Sequence, residues 1–377
     1  MKRLKLAGFI MSLLFMASCG DSINETETKT LKSSEGFEIE STHDVSIKND
    51  VFTFVITPED TSNFIESEIN CIHWDFDSDG IFEIECADFE PVSYGYEQEG
   101  VYKVTAIVNL NDKGETICTN NVFVMAAENI LDENWPYTVH EMRYSANEEE
   151  IYFSSGAYPH NIFKVNSNGG KAEGVTTNLL NDKCRHYPIV SGDNKLLAYE
   201  YNDGISILNL ETNNEFQLTD RSIFISSRDF TNDNSGLLAK IGEEIVVFDI
   251  ETKESSVLLN NAGYFSALKD ENKLAFINKV DNGYSLILYD YKEKAAIGEY
   301  QNIPFNGAFK YLKSIDAIYY TELHILYFLH SGKFYRIAAD KIYKGWPSEI
   351  SQDGRNILFS TSDKNLLKIN MMNLIDQ

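Results

Sequence analysis

Tyr144-Ser-Ala-Asn-Glu-Glu-Glu-Ile-Tyr-Phe153 and Ile350-Ser-Gln-Asp-Gly-Arg-Asn-Ile-Leu-Phe359 share one pattern: a short apolar strand, a polar turn and a second apolar strand. Four further copies lie between them, at Val190–Tyr199, Phe230–Ala239, Ala267–Phe276 and the degenerate Tyr311–Tyr320. Aligned on Ser145, Ser191, Thr231, Leu268, Leu312 and Ser351, the copies are spaced 37 to 46 residues apart. A third strand follows each pair, as at Asn161–Val165, Ile205–Leu210 and Glu244–Ile250, and a fourth follows the third, as at Phe216–Thr219. Four short strands make one small sheet that cannot bury both faces alone, so neighbouring sheets must stack and the array must close. The pattern predicts a six-bladed β-propeller over residues 128–377. Its last copy runs out after a third strand, and the segment near Asn129-Ile-Leu131 is expected to supply the fourth, because an unpaired sheet edge is an aggregation hazard.

The phrases Tyr144–Ser155 and Asn161-Ile-Phe-Lys-Val-Asn-Ser-Asn-Gly-Gly170 resemble the repeats of TolB-type six-bladed propellers, whose Ser-Pro-Asp-Gly turn survives best at Ser351-Gln-Asp-Gly354. The resemblance implies a fold and leaves activity open.

Residues 37–127 form a different block. Val51–Ile56, Gly100–Val108 and Thr116–Val124 run or alternate apolar at strand spacing. Within the block, His73-Trp-Asp-Phe-Asp-Ser-Asp-Gly80 precedes Ser93-Tyr-Gly-Tyr96 and Gly100-Val-Tyr-Lys-Val104. This order resembles the PKD domain, an immunoglobulin-like β-sandwich, and implies Trp74 and Phe76 on one face with Asp75 and Asp77 on the other. The fold class is therefore all-β, an N-terminal PKD-like β-sandwich followed by the propeller. Asp75, Asp77 and Asp79 with Gly80, and Glu83 beyond, also match the front half of a calcium loop, which needs alternating oxygen ligands and a glycine at the bend. Cys86 stands where a calcium-binding helix–loop–helix would carry its bidentate glutamate. Two readings stay open, a calcium site and an Asp/Gly β-turn. Counting from the turn at Ser78-Asp79 sets Cys71 opposite Cys86, the favoured disulfide pair, with Cys118 a competing partner.

Met1-Lys-Arg-Leu-Lys5, the apolar run Leu6–Met16 and Ala17-Ser18-Cys19 make a secretory signal too short to span a membrane. Ending in Cys19, it resembles the lipobox of bacterial lipoproteins, which implies cleavage before Cys19 and a lipid anchor on its sulfur. Residues 1–19 are thus read as signal and lipidated cysteine, and the Ser/Thr/Glu-rich residues 20–36 as a flexible tether. Gly20 after the cysteine implies, by the same resemblance, sorting to an outer membrane. The formal charge of -26, from 32 Lys and Arg against 58 Asp and Glu, argues against nucleic acid, whose phosphates demand clustered cations.

A propeller presents its first strands and their loops around a central funnel, the ordinary place for a ligand. Arg185-His186-Tyr187 is the densest polar-aromatic cluster at a first strand; Arg228 and Trp346 join it as expected ligand contacts, with Tyr144 and Asp229 nearby. His140, His160 and His186 fall in the first two blades and His324 and His330 in the fifth, spacings taken here to place them at different repeat phases and to keep them from one metal. No Gly-x-Ser-x-Gly elbow or glycine-rich phosphate loop is present in the sequence. The leading expectation is a non-catalytic module binding an envelope protein or glycan. The alternatives are a glycan-active lyase or hydrolase with its site in the funnel, or a periplasmic assembly scaffold of the kind the TolB resemblance suggests.

Overall fold

The computed structural model describes residues 36–58, 69–111, 114–176, 184–201, 204–219, 228–268, 271–280, 283–303, 307, 309–322, 325–330, 333–337, 349–361, 364–371 and 374. They fall into two compact units, one holding the residues up to Ala126 together with Arg336 and Ile337, the other holding Ala127–Tyr335 and the C-terminal residues.

In the first unit the chain forms β1 (Phe37–Ser41), β2 (Val45–Ile47), β3 (Val51–Pro58), β4 (Ile69–Asp75), β5 (Ile84–Ala87), β6 (Val92–Gly95), β7 (Gly100–Leu110) and β8 (Gly114–Met125). One sheet has the order β1-β3-β6, and β2-β8-β7-β4-β5 run together in the other. Period-two alternation sends Phe52, Phe54 and Ile56 of β3 and Val104, Ala106 and Val108 of β7 into one shared core. Trp74 and Phe76 stack there, centroids 5.7 Å apart, and the Tyr96 hydroxyl donates to the Phe76 carbonyl at 2.8 Å. Each such fully buried side chain contributes about 1.5–3 kcal/mol of transfer free energy. Asp77 is exposed, as its alternation implies, whereas Asp75 is buried beneath its own turn.

The second unit opens with β9 (Ala127–Asn129). Four-stranded antiparallel sheets then follow in chain order. They are β10–β13 (Met142–Tyr144, Glu150–Ser155, Asn161–Asn166, Glu173–Gly174), β14–β17 (Arg185–Val190, Leu196–Tyr201, Gly204–Asn209, Glu215–Thr219) and β18–β21 (Arg228–Phe230, Gly236–Ile241, Glu244–Asp249, Ser255–Asn260). Next come β22–β25 (Phe265–Leu268, Lys273–Val280, Gly283–Asp290, Ala295–Ile303), the fourth such sheet, and the fifth group β26–β29 (Phe309–Leu312, Ala317–Glu322, Ile325–His330, Lys333–Ile337), whose strands neighbour one another in that order without forming a sheet of their own. The sixth sheet is β30–β32 (Glu349–Ile350, Asn356–Ser360, Leu366–Asn370) completed by β9. Leu367 pairs with Asn129, Lys368 with Glu128 and Ile369 with Ala127, and the Ile130 amide extends the ladder to the Leu366 carbonyl at 2.8 Å. The expected closure is thus present, centred two residues earlier than the sequence suggested.

Apolar clusters lie between successive sheets. Tyr152 and Ile162 of the first meet Leu197 and Tyr199 of the second, Ala198 faces Leu237 and Ala239 of the third, and Leu238 meets Leu274 and Phe276 of the fourth. Leu268 and Ala275 pack on Tyr311 and Ile318 of the fifth, while Met142 and Phe153 of the first meet Leu358 and Leu366 of the sixth. Because Leu197 and Ala198 serve opposite neighbours, and the first, third and fourth sheets likewise meet a cluster on each side, both faces of these four sheets are buried, and their second strands read as continuous apolar runs rather than alternating ones. First strands touch from sheet to sheet, β10 against β14 and β30 included. Among the described residues this arrangement fits a six-bladed β-propeller.

The repeated turn explains the motif. At Ser145, Ser191, Thr231 and Ser351 the hydroxyl donates to the carboxylate or amide oxygen two residues on, Asn147, Asp193, Asp233 and Asp353, at 2.6–2.8 Å. It also accepts the amide five residues on, at 2.9–3.0 Å. Such local bonds give the backbone a fixed turn in place of a continued strand. The fourth turn residue is left-handed in each copy, Glu148, Asn194, Asn234 and Gly354, with φ between 59 and 74°. Asparagine tolerates that conformation and adds an acceptor: Asn194 Oδ1 takes the Ala146 amide of the preceding sheet at 2.8 Å, and Asn234 Oδ1 takes the Gly192 amide at 2.7 Å. Glu148 does the same across the closure, accepting from the Gln352 amide at 2.5 Å. At Gly354 an added Cβ would meet the end of the Ile315 side chain of the fifth sheet's turn, which would have to shift. Leu312 lacks the hydroxyl, and there the turn becomes a 3₁₀ segment, Lys313–Ile315.

Candidate functional site

Since first strands touch one another around the ring, their polar side chains meet near its axis. Arg143 of β10 reaches Glu349 of β30, Nη1 to Oε2 2.7 Å, and Lys310 of β26 pairs with the same carboxylate and donates to the Ile350 carbonyl at 2.5 Å. Burial pushes the Glu349 carboxyl up, but Arg143 and Lys310 outweigh it and hold the group below the usual glutamate value. Arg143 keeps 40% of its side chain exposed, so this side of the ring is open to solvent.

Arg228 of β18 is buried, 5% exposed. Its Nη2 donates to the Tyr187 carbonyl at 2.9 Å, and its guanidinium lies 5.2 Å from the Tyr187 ring centroid. Nη1 is buried without a hydrogen-bond partner among the described residues. Burial lowers the guanidinium pKa to about 10, with Arg143 adding repulsion against the opposing pull of Glu200 and Glu141; it stays charged at neutral pH. Tyr187, left-handed at φ 53° and 40% exposed, presents its ring beside this cation. Arg185 is not brought to this patch. It is turned into its own sheet, over Tyr201 at 4.6 Å and Tyr199 at 5.9 Å from the centroids and 4.0 Å from Glu215. Trp346 and His324 lie outside the described residues.

The expectation that repeat phase keeps the histidines apart is corrected for His140, His160 and His186. His140 stacks on His160 with centroids 4.2 Å apart, and His186 stands edge-on to His160 at 5.2 Å. His160, Cys184 and His186 each offer a donor atom within 4.8 Å of the others. The reason is antiparallel geometry. In a blade, the loop between second and third strands returns to the end where the first strand begins, so His160, just before β12, meets His140 and His186 at the entries of β10 and β14. His140 and His186 also occupy one repeat phase, each five residues before an aligned serine, Ser145 and Ser191. That phase was the legible signal; Cys184 carried none.

The cluster is braced. His186 Nδ1 lies 3.2 Å from Glu141 Oε2, and Ser154 Oγ donates to the same carboxylate. Burial raises the Glu141 pKa, yet the bonds from His186 and Ser154 bring it below its ordinary value. Burial, then repulsion from His140 and His186, lowers His160 to about 4, which keeps its imidazole neutral at physiological pH. The Cys184 sulfur accepts the His160 amide at 3.3 Å, and the Arg185 amide returns to the His160 carbonyl at 3.1 Å.

In the first unit, Asp75, Asp77, Asp79 and Glu83 bring carboxylate oxygens within 4.8 Å of one another. The same carboxylates accept backbone amides: Asp75 from Ser78 and Gly80, Asp77 from Asp79, Asp79 from Ile81 and Glu83 from Phe76, at 2.6–3.1 Å. Cys71 and Cys86 are free thiols. The β4–β5 register shifts between Ile72 and Trp74, and Cys86 sits left-handed at φ 57° with its amide on His73 Nδ1. A thiol–thiol hydrogen bond with Cys71, then burial, raises the Cys86 pKa to about 11. Cys118 on β8 is separated from Cys71 on β4 by β7, two strand spacings of roughly 4.8 Å each and beyond disulfide reach.

No protein-family model and no curated protein matches the chain. Among solved structures, an auxiliary nutrient binding protein from Bacteroides thetaiotaomicron is 13% identical, with 89% of this chain and 97% of that one covered at a TM-score of 0.48. An oligogalacturonate lyase from Vibrio parahaemolyticus is 11% identical (66% and 97% covered, TM-score 0.44). TolB from Acinetobacter baumannii is 12% identical (89% and 79%, TM-score 0.43). Likeness at these values assigns neither family nor activity.

Proposed function

We propose that this chain is an exported lipoprotein of the bacterial cell envelope, held at the outer membrane through lipid on Cys19, in which a PKD-like sandwich carries a ring that binds an acidic glycan without transforming it. The observation that supports the ligand class is Arg228, a buried cation with one nitrogen unpartnered among the described residues, set beside the exposed Tyr187 ring. A guanidinium recognises a carboxylate by charge-assisted hydrogen bonds, and an aromatic face next to it suits the apolar face of a sugar. The overall charge of -26 opposes long-range capture of a polyanion, so recognition is short-range, one carboxylate at a time.

Two expected results follow from this reading. Cys19→Ala releases the protein from the membrane fraction; retention in membranes would remove the anchor. Arg228→Met, which keeps the side-chain volume, weakens binding of an acidic oligouronide roughly 10–100-fold, the loss of a charged hydrogen bond of about 1.5–3 kcal/mol, and leaves binding of a neutral glucan unchanged. Equal affinity of the variant and the parent for the oligouronide would refute the assignment. A second reading, a glycan-active enzyme, is favoured by the imidazole and thiol cluster next to Tyr187. Catalytic release of shortened chains from the same oligouronide would establish it in place of simple binding.

A further inference from the structure

We infer that His160, Cys184 and His186 form a binding site for a transition-metal ion of the zinc class. Their three donors, two imidazole nitrogens and a sulfur, lie within 4.8 Å of one another. Bonds of about 2.0–2.1 Å to nitrogen and 2.3 Å to sulfur would place tetrahedral ligand atoms roughly 3.3–3.7 Å apart, so a small closing of side chains completes the geometry. A mixed imidazole–thiolate set selects zinc or cobalt and disfavours calcium and magnesium, which want oxygen.

Independent observations point to a cation here rather than to packed rings. His160 Nδ1 is buried without a hydrogen-bond partner among the described residues. His186 Nδ1 faces a carboxylate, Glu141, that is itself only 4% exposed and held by Ser154. That leaves His186 Nε2 for the ion and reproduces the carboxylate–histidine–metal arrangement that fixes ring orientation and raises ligand basicity. The Cys184 sulfur accepts a backbone amide from His160, which ties the sulfur to the backbone beside that ring. His186 remains 27% exposed, so an ion bound by three protein donors would keep an open position toward solvent, beside Tyr187 and next to the stacked His140.

The test uses the full chain, reduced, stripped with chelator and titrated with cobalt(II). The expected result is one tight equivalent that gives tetrahedral d–d bands and a sulfur-to-cobalt charge-transfer band, both displaced by zinc(II). Cys184→Ser abolishes the charge-transfer band, and Glu141→Gln lowers cobalt affinity roughly 10–100-fold with its far-ultraviolet circular dichroism unchanged. The double variant Cys71→Ser/Cys86→Ser, which removes the thiol beside His73 and its hydrogen-bonded partner, retains the spectrum. No retained cobalt on folded protein, or a charge-transfer band that survives Cys184→Ser, would overturn the proposal.

Discussion

Replacing Glu349 with Gln is expected to lower the stability of the ring by about 3 kcal/mol at neutral pH and to flatten its acid unfolding limb. Glu349 is 5% exposed and neutralises two cations on separate sheets, Arg143 and Lys310. Removing one member of a buried ion pair costs about 3–5 kcal/mol, because the partners lose their compensation. Both partners retain contact with water, at 40% and 24% exposure, and screening places the expected value at the lower end. The sign with pH is fixed by the depressed carboxyl pKa of the folded state. Its contribution is fully present above the unfolded value of about 4.3 and is lost as pH falls through the lower folded value. Chemical denaturation of parent and Glu349→Gln should therefore differ most at neutral pH and converge in acid. Equal stability at neutral pH, or a gap that widens on acidification, would show that the carboxylate does not join these strands.

The ring was legible because its turns repeat a physical device. Ser-x-Asp and Thr-x-Asp mark the hydroxyl-to-carboxylate bond, and the fourth position marks the left-handed residue. What looked like erosion of the glycine, Asn194 and Asn234, turned out to supply the hydrogen bonds between neighbouring sheets. The degenerate fifth copy was also explained, since Leu312 offers no hydroxyl and a 3₁₀ turn replaces the bond.

Less of the site could be read. Contacts between residues on different blades depend on which end of a sheet each occupies, and a test of repeat phase applied to all the histidines together separated residues that an antiparallel hairpin joins. Arg185, His186 and Tyr187 looked like one patch, but alternation and the bulge between His186 and Ile189 send them to different surroundings. Arg185 braces its own sheet, His186 joins the imidazoles and Tyr187 faces Arg228. In the first unit, counting outward from a symmetric turn missed the left-handed Cys86 and the register shift that takes Cys71 and Cys86 off a directly opposed pair of strand positions, although their thiols still meet in a hydrogen bond.

Closure by β9 carries the whole architecture, and a covalent staple across it is the direct measurement. Glu128 and Lys368 are paired residues on β9 and β32, at the Cα separation of roughly 4.5–5.5 Å that antiparallel partners adopt and a disulfide accepts. Glu128→Cys with Lys368→Cys, mildly oxidised, should form one intramolecular disulfide identifiable by peptide mass spectrometry. Closing a loop of roughly 240 residues, it should raise ring stability by about 5 kcal/mol over the reduced form. Cysteines that stay reduced, or that pair only between separate chains, would contradict a ring sealed by its own N-terminal strand.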